Sequence, residues 1–203
     1  MKLLHIDSSI LGGNSVSRAL SKATVERLRA EIPGLEVTYR DLAADPIGHL
    51  TGSYLAGQSA QTQHDQAMQE DLALGGRVLE EFLAADIVVI GVALYNFTIP
   101  SQLKTWIDRI LVAGKTFRYT ESGPEGLAGD KRVILTVARG GFYGEGTPSA
   151  SFEHAETYMR SVLAFIGIAE PEVVVAEGIA VGPEQRERAT NEALTAIAGL
   201  KAA

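Results

Sequence analysis

Three short segments of this chain combine hydroxyls, aromatics and glycines in spacings that suit a phosphate at one end and a flat ring at the other. The first, residues 8–17, reads Ser-Ser-Ile-Leu-Gly-Gly-Asn-Ser-Val-Ser. Its small residues let a ligand approach the backbone. The hydroxyls of Ser9, Ser15 and Ser17 can donate to phosphate oxygens, and a helix starting here adds partial positive charge. The same residues also read as a serine N-cap behind an ordinary loop. The second segment, residues 93–100, reads Ala-Leu-Tyr-Asn-Phe-Thr-Ile-Pro. A flat heterocycle needs apolar stacking with fixed donors and acceptors at its rim, which Tyr95, Asn96, Phe97 and the local backbone can supply. The alternative is a loop whose aromatics cap the core. The third, residues 138–144, reads Ala-Arg-Gly-Gly-Phe-Tyr-Gly. Its paired glycines permit unusual dihedrals and close backbone approach to a ring, or form a plain turn.

Other chemistries fail on the same residues. The first segment lacks G-x-G-x-x-G. Gly114-Lys115-Thr116 ends like a P-loop, but the required earlier glycine is Arg109. Gly13-Asn14-Ser15-Val16 begins like a nucleophile elbow, but its final glycine is Ser17. A dinucleotide Rossmann site, an ATPase and an α/β-hydrolase are set aside. No cysteine is present, which removes thiol catalysis, thiolate metal sites and disulfides together. His5 falls in an apolar strand run and reads as structural. His49, His64 and His154 have no metal-ligand spacing, and His154 reads as a polar position on a helix. No metal is expected.

Elements that would position these segments are visible as periodicity. Short apolar runs rich in Val and Ile occur at residues 3–6, 87–92, 133–137 and 173–175, with a weaker one at 35–39. Most are nearly continuous, as expected of strands covered on both faces. Helical patterns lie between them at 16–31, 66–84, 100–111, 152–166 and 184–198. Gly75-Gly76 inside the second is a candidate break, since each glycine costs about 1 kcal/mol relative to alanine. Alternating strand and helix implies βαβ units with right-handed crossovers. The expected architecture is an α/β three-layer sandwich: a five-stranded parallel sheet of order 2-1-3-4-5 with helices on both faces, in a single domain over residues 1–203. Ligands then sit outside the carboxyl ends of the strands, where the three segments lie. Residues 41–63 form a long polar stretch of weak periodicity, suited to a lid or a partly helical excursion. Residues 117–130, with Gly123-Pro124, Gly126 and Gly129, suit a hairpin or flap.

Composition narrows the class. A chain of 203 residues with 46% apolar residues can bury a large core without staples. The net charge of −7 and the absence of a dense Lys/Arg cluster argue against nucleic acid as a partner. No run approaches the ~20 apolar residues of a membrane span, and the N-terminus reaches Asp7 too soon for a signal-peptide core. A cytoplasmic chain is expected. A phosphate end and a planar-ring end on one sheet edge match the shape of FMN. Flavin chemistry also explains why no acid–base set stands out, because the cofactor carries the redox step.

Longer stretches then become specific. Ser9 with Ser15-Val16-Ser17, the run from Leu94 to Lys104 (Leu-Tyr-Asn-Phe-Thr-Ile-Pro-Ser-Gln-Leu-Lys), Phe117-Arg118-Tyr119-Thr120 with Gly123-Pro124-Glu125-Gly126-Leu127, and Arg139-Gly140-Gly141 resemble the FMN-dependent NADH azoreductase/quinone reductase family. The resemblance covers nearly the whole chain. It departs at Ala138, where the family pattern carries serine and a hydroxyl contact to the flavin edge. It implies a flavodoxin-like homodimer with one FMN per subunit near the interface. It further implies ping-pong transfer from NADH or NADPH to quinone or azo acceptors. By position, Ser9, Ser15, Val16 and Ser17 would hold phosphate. Leu94, Tyr95, Asn96 and Phe97 would border the isoalloxazine, as would Ala138, Arg139, Gly140 and Gly141. Tyr119 would lie on the flap at the substrate side. Three other functions fit the same loops: a flavodoxin-like electron carrier without an efficient substrate pocket, a phosphate-binding module without flavin, and another flavin reductase specialised for quinone or nitroaromatic acceptors.

Overall fold

The computed structural model describes residues 1–58 and 64–201. Five parallel strands make the central sheet: β1 (Lys2–Asp7), β2 (Glu36–Asp41), β3 (Ile87–Ala93), β6 (Arg132–Arg139) and β7 (Glu172–Glu177). Their spatial order is β2-β1-β3-β6-β7, which is the expected 2-1-3-4-5 of the main strands. Register places Asp7 beside Gly91, and Ala93 beside Ala138. The carboxyl ends of β1, β3 and β6 are thereby neighbours, and the three chemistry-bearing segments emerge side by side.

Burial on both faces explains the continuous apolar runs. All seven residues of β3 are buried. Val88, Ile90 and Val92 pack with Val78 and Phe82 of α3 (Gln66–Ala84), Leu103 and Trp106 of α4 (Ser101–Ile110), and Met159 and Leu163 of α5 (Glu156–Phe165). Ile87 and Val89 face the opposite layer, where Leu28 of α1 (Val16–Glu31) closes the core. Beside it, Leu20 of α1 packs with Ala189, Ala193 and Ile197 of α6 (Pro183–Ala198) against β7. The period-2 alternation of strand faces thus feeds two helical layers from one sequence run.

Two helices, α3 and α5, differ from the sequence expectation, and two expected excursions take definite form. α3 runs unbroken through Gly75-Gly76, because Gly75 is where a neighbouring helix packs. That neighbour is α2 (Gly52–Gly57), a short helix in the polar stretch whose Tyr54 is 4% exposed; residues 59–63 of that stretch lie outside the described residues. α5 begins at Glu156 rather than at 152. The Glu153 carboxylate takes the N–H groups of Ala155, Glu156 and Thr157 at 2.8–3.0 Å, so the preceding chain is free to turn. His154 accordingly lies in the loop before α5, not on the helix. The expected flap is a hairpin of β4 (Phe117–Thr120) and β5 (Gly123–Gly126), paired antiparallel outside the main sheet. Its base meets the end of α5 so closely that a Cβ on Gly126 would lie 2.1 Å from the Gly167 nitrogen. Among the described residues, no helix is long and apolar enough to cross a membrane.

Candidate active site

The loop after β1 is built by short-range hydrogen bonds around buried hydroxyls. Ser8 Oγ donates to the Gly91 carbonyl at 2.9 Å, tying the loop to β3. Ser9 Oγ lies 2.8 Å from the Tyr95 hydroxyl, which joins the first loop to the second. A single 3₁₀ turn, Gly12–Asn14, then leads to Ser15, the N-cap of α1, whose hydroxyl accepts from the Arg18 N–H at 3.3 Å. Ser15 and Ser17 hydroxyls are 3.1 Å apart, and both residues are buried. The N–H groups of Val16 and Ser17, at the first two helical positions, find no acceptor among the described residues, as a helix N-terminus dictates. Such a helix start can seat an anion.

The loop after β3 is strained in a defined way. Tyr95 and Thr98 exchange both backbone hydrogen bonds, at 2.9 and 3.1 Å. The two residues between them take left-handed backbone, with φ 47° at Asn96 and 73° at Phe97. A two-residue turn of this type needs positive φ at both central positions and tolerates Asn at the first. A phenylalanine at the second costs of order 1–3 kcal/mol. The turn is held by its surroundings. The Phe97 carbonyl accepts the His154 N–H at 2.9 Å, and the Phe97 ring lies 5.2 Å from that of Phe152 and 6.4 Å from that of Tyr143. Phe97 remains 47% exposed, an aromatic plate at the rim of the site.

The loop after β6 presents backbone, not side chain. Arg139 is buried, and its guanidinium turns away to Glu177 at 2.6 Å and Glu156 at 2.5 Å, with Glu153 at 3.6 Å. Burial pushes the Glu153 carboxyl up, but the N–H groups of Glu156 and Thr157, the Thr157 hydroxyl and Arg139 together hold it below its ordinary value. The carbonyls of Arg139, Gly140 and Gly141 accept from Ile179, Ala180 and Gly178 at 2.9–3.2 Å. The N–H groups of Gly140 and Gly141 have no acceptor among the described residues. Neither glycine has positive φ. The freedom expected of this pair is not used, and what glycine provides here is room: a Cβ on Gly140 would meet only Ala180, at 3.5 Å.

Two clefts result. A narrow one of about 220 Å³ is walled by Ser9, Ser15 and Val16 on one side and Ala138, Gly140, Ile179, Ala180 and Arg186 on the other. A wider one of about 940 Å³ lies beside it, bordered by Asn96, Pro100, Gln102, Lys104, Asp108 and Tyr158, with His49 at its rim. Leu94 and Tyr95 line both, so the clefts meet there. Hydroxyls and free N–H groups line the narrow part, and apolar surface predominates in both. A phosphate with a short polyol chain fits the first, and a planar ring fits the second. The residues present therefore fit FMN.

Of the sequence candidates, Ser9, Ser15, Val16, Leu94, Tyr95, Asn96, Ala138 and Gly140 line these clefts. Ser17 stands directly behind Ser15, while Arg139 and Gly141 border the site through backbone. Tyr119, on the hairpin and 75% exposed, lines neither cleft. Sequence reasoning missed the loop after β7, with Ile179 and Ala180, and missed Arg186 of α6. Gly178 directly after the fifth strand, with φ 72°, was the available signal, since that loop leaves the same sheet edge.

Beneath the first loop, β1, β2 and α1 share a polar network. Ser21 Oγ donates to Asp7 at 2.7 Å and lies 2.9 Å from His5 Nε2, and the Tyr39 hydroxyl donates to Asp7 at 3.1 Å. Arg18 forks onto Asp41 with two 2.6 Å bonds and donates twice to the Ser9 carbonyl, at 2.7 and 3.0 Å. The Asp41 carboxyl is held below its ordinary range by Arg18. Burial, then Asp7, push the Tyr39 phenol up to about 12. Burial lowers the His5 imidazole against the pull of Asp7. His5 is structural here, and the network fixes the Ser9 carbonyl from below.

Comparison with known proteins agrees with this geometry. Residues 1–200 match the family model described as flavodoxin-like fold. The chain is 66% identical over 203 residues, all of both chains, to the FMN-dependent NADH:quinone oxidoreductase of Methylorubrum extorquens (strain PA1). Among solved structures it resembles an azoreductase from Bacillus anthracis str. Sterne, with 34% identity, TM-score 0.86 and coverage of 98% and 97% of the two chains. It is also similar to an FMN-dependent NADH-azoreductase from Bacillus anthracis str. Ames Ancestor in complex with FMN. There the identity is 27% and the TM-score 0.86, with 98% of each chain covered.

Proposed function

This chain belongs to the flavodoxin-like family of FMN-dependent NADH:quinone oxidoreductases and azoreductases, and from that premise we propose that it is an FMN-dependent enzyme reducing quinones and aromatic azo compounds with electrons from NADH or NADPH. One observation carries the reading: hydroxyls and unpaired helix-start and glycine N–H groups border a narrow cleft that opens, at Leu94 and Tyr95, into a wider one with room for a planar ring. In this reading residues 1–203 form one cofactor-binding domain, with one FMN per subunit.

Ser9, Ser15, Val16 and Ser17 hold the phosphate, through three hydroxyls, two helix-start N–H groups and the α1 dipole. Leu94, Tyr95, Asn96 and Phe97 frame one side of the ring. Ala138, Arg139, Gly140 and Gly141 frame its edge through backbone N–H groups. Ala138 contributes no hydroxyl, so the Gly140 and Gly141 N–H groups do the polar work there. Bound FMN supplies two-electron redox chemistry at its ring. The sequence carries no nucleophile-elbow motif, and the cleft leaves a wide open face beside Tyr95 and Asn96, where the nicotinamide donor and then the acceptor bind in turn. Exposed Phe97, Phe142 and Phe152 at the mouth, with Tyr119 on the hairpin, support a homodimer in which a second copy covers this face.

The test is the flavin itself. Heat-released cofactor from purified protein should be FMN, and its visible absorbance should bleach anaerobically on addition of NADH. FAD, or no saturable flavin binding, would reject the site. Bound FMN that NADH reduces only sluggishly would favour the electron-carrier alternative.

A further inference from the structure

The narrow cleft has a wall that the family motifs do not supply. α6 brings Arg186 into its lining, together with Ser15 and Val16 of the α1 start. Arg186 Nη2 donates to the Asn14 carbonyl at 2.6 Å, across 172 residues of chain. This bond fixes the guanidinium next to the start of α1. Arg18, Arg40, Arg109, Arg132 and Arg139 each face a carboxylate. Among the described residues, Arg186 forms no ion pair. It also sits four residues into α6, whose N-cap is Gly182, where the helix dipole disfavours a cation. Neither its own helix nor a protein counter-ion accounts for a charge held there. Arginine keeps that charge at any working pH, and its fork suits phosphate oxygens.

We infer that Arg186 recognises the phosphate of the cofactor, supplying the positive counter-charge for a dianion in a chain of net charge −7, and so makes the site prefer FMN to riboflavin. The inference rests on the FMN reading above. One guanidinium nitrogen is anchored on Asn14 and holds the Gly12–Asn14 turn as a lip. The remaining N–H groups are free for phosphate oxygens entering between the lip and α6. The α1 N-terminus and Arg186 then face the anion from two sides, and only the second is a full charge.

The test uses the full-length chain stripped of flavin, titrated with FMN and with riboflavin by fluorescence quenching, with circular dichroism as the fold check. Arg186→Ala should weaken FMN binding about ten- to a hundredfold, the range for a hydrogen bond to a charged group. Riboflavin binding should change by less than about twofold, since it has no phosphate to lose this contact. Arg186→Gln keeps a donor for the Asn14 carbonyl but no charge, and should lose FMN nearly as badly as alanine. Arg186→Lys should recover part of the affinity. Added salt should weaken FMN binding more in the wild type than in Arg186→Ala, because a screened charge pair is present only in the former. Full FMN affinity in Arg186→Gln would reduce the residue to a lip anchor and overturn the inference. So would equal losses for FMN and riboflavin, or unchanged FMN affinity in Arg186→Ala; each leaves the FMN site standing. No saturable FMN binding by the wild type would overturn both.

Discussion

Gly75→Ala and Gly76→Ala should have opposite effects on stability, although the two glycines are adjacent in one helix. In α3 each substitution gains about 1 kcal/mol of helix propensity. At Gly76 nothing lies within 4 Å of an added Cβ, so the gain is kept and Gly76→Ala should stabilise by about 0.5–1 kcal/mol. At Gly75 the Cβ would lie 2.0 Å from the Tyr54 hydroxyl oxygen and 3.0 Å from its Cζ, well inside the ~3.5 Å of ordinary contact. Tyr54 cannot swing away cheaply. It is 4% exposed, and the Arg109 guanidinium sits 3.6 Å over its ring. Arg109 is itself held by Asp71 and by the Gly48 carbonyl, both at 2.9 Å. Overpacking costs about 1–3 kcal/mol, and loosening a desolvated cation–π contact adds up to ~2 kcal/mol. After subtracting the propensity gain the terms span about 0–4 kcal/mol, and Gly75→Ala should destabilise by about 2 kcal/mol. For a domain of this size that central value lowers Tm by roughly 4–8 °C, while Gly76→Ala raises it by about 1–4 °C. Urea and thermal unfolding of both variants, without added flavin, measure the difference. Tyr54→Phe removes the clashing oxygen, so Gly75→Ala should cost less on that background, a coupling that a double-mutant cycle reads directly. The reasoning is refuted if the two glycine variants are equally stable, or if Tyr54→Phe leaves the cost of Gly75→Ala unchanged.

Four further outcomes are expected. Ser17→Ala, which removes the hydroxyl paired with Ser15, should weaken FMN about 10- to 150-fold and leave riboflavin binding nearly intact; unchanged FMN affinity would make Ser17 only part of the helix cap. Initial rates over both substrates should give parallel double-reciprocal lines, and intersecting lines would count against alternating use of one face. Sedimentation at assay concentration should show a dimer; a fully active monomer would remove the role assigned to Tyr119 and the exposed phenylalanines. Finally, His5 is held below its ordinary 6.5 by burial, so the unfolded chain binds the proton first as pH falls. Its contribution to stability is whole above pH 6.5 and is lost as pH falls through the lower folded value. The urea midpoint should therefore decline below pH 6.5, and His5→Gln should flatten that decline. The separate loss linked to Asp41, whose folded value is also lowered, belongs below its ordinary 3.8. Equal slopes in the wild type and His5→Gln would refute the assignment.

Much of the fold was legible because its signals are local and repeated. Strands covered on both faces must be apolar at every position, and β3 is buried throughout. Amphipathic helices must repeat near 3.6, and α1 and α3 have the bounds their periodicity sets. The boundary of α5 was less legible because a glutamate outside the helix, Glu153, caps its first turn, and glutamate is not an N-cap signal. α2 registered only as one of two alternatives, a lid or a partly helical excursion, because a six-residue helix is too short for periodicity to fix. Gly75-Gly76 looked like a break for the opposite reason: propensity is local, whereas Tyr54, whose packing needs the glycine, lies 21 positions earlier.

The candidate site divides along the same line. By itself the sequence determined which loops share one sheet edge, because alternating strand and helix puts every loop after a strand there. It also determined the residue types available there: serines before a helix, aromatics around an asparagine, paired glycines. The tertiary structure alone decided what each side chain does. Arg139 turns from the cleft because three carboxylates, from α5, the loop before it and β7, converge on it. Asn96 and Phe97 hold left-handed backbone because Tyr95, Thr98 and His154 clamp the turn. Arg186 reaches the phosphate end because α1 and α6 pack side by side. Such contacts join residues tens to hundreds of positions apart, and no period or local propensity encodes a partner at that distance.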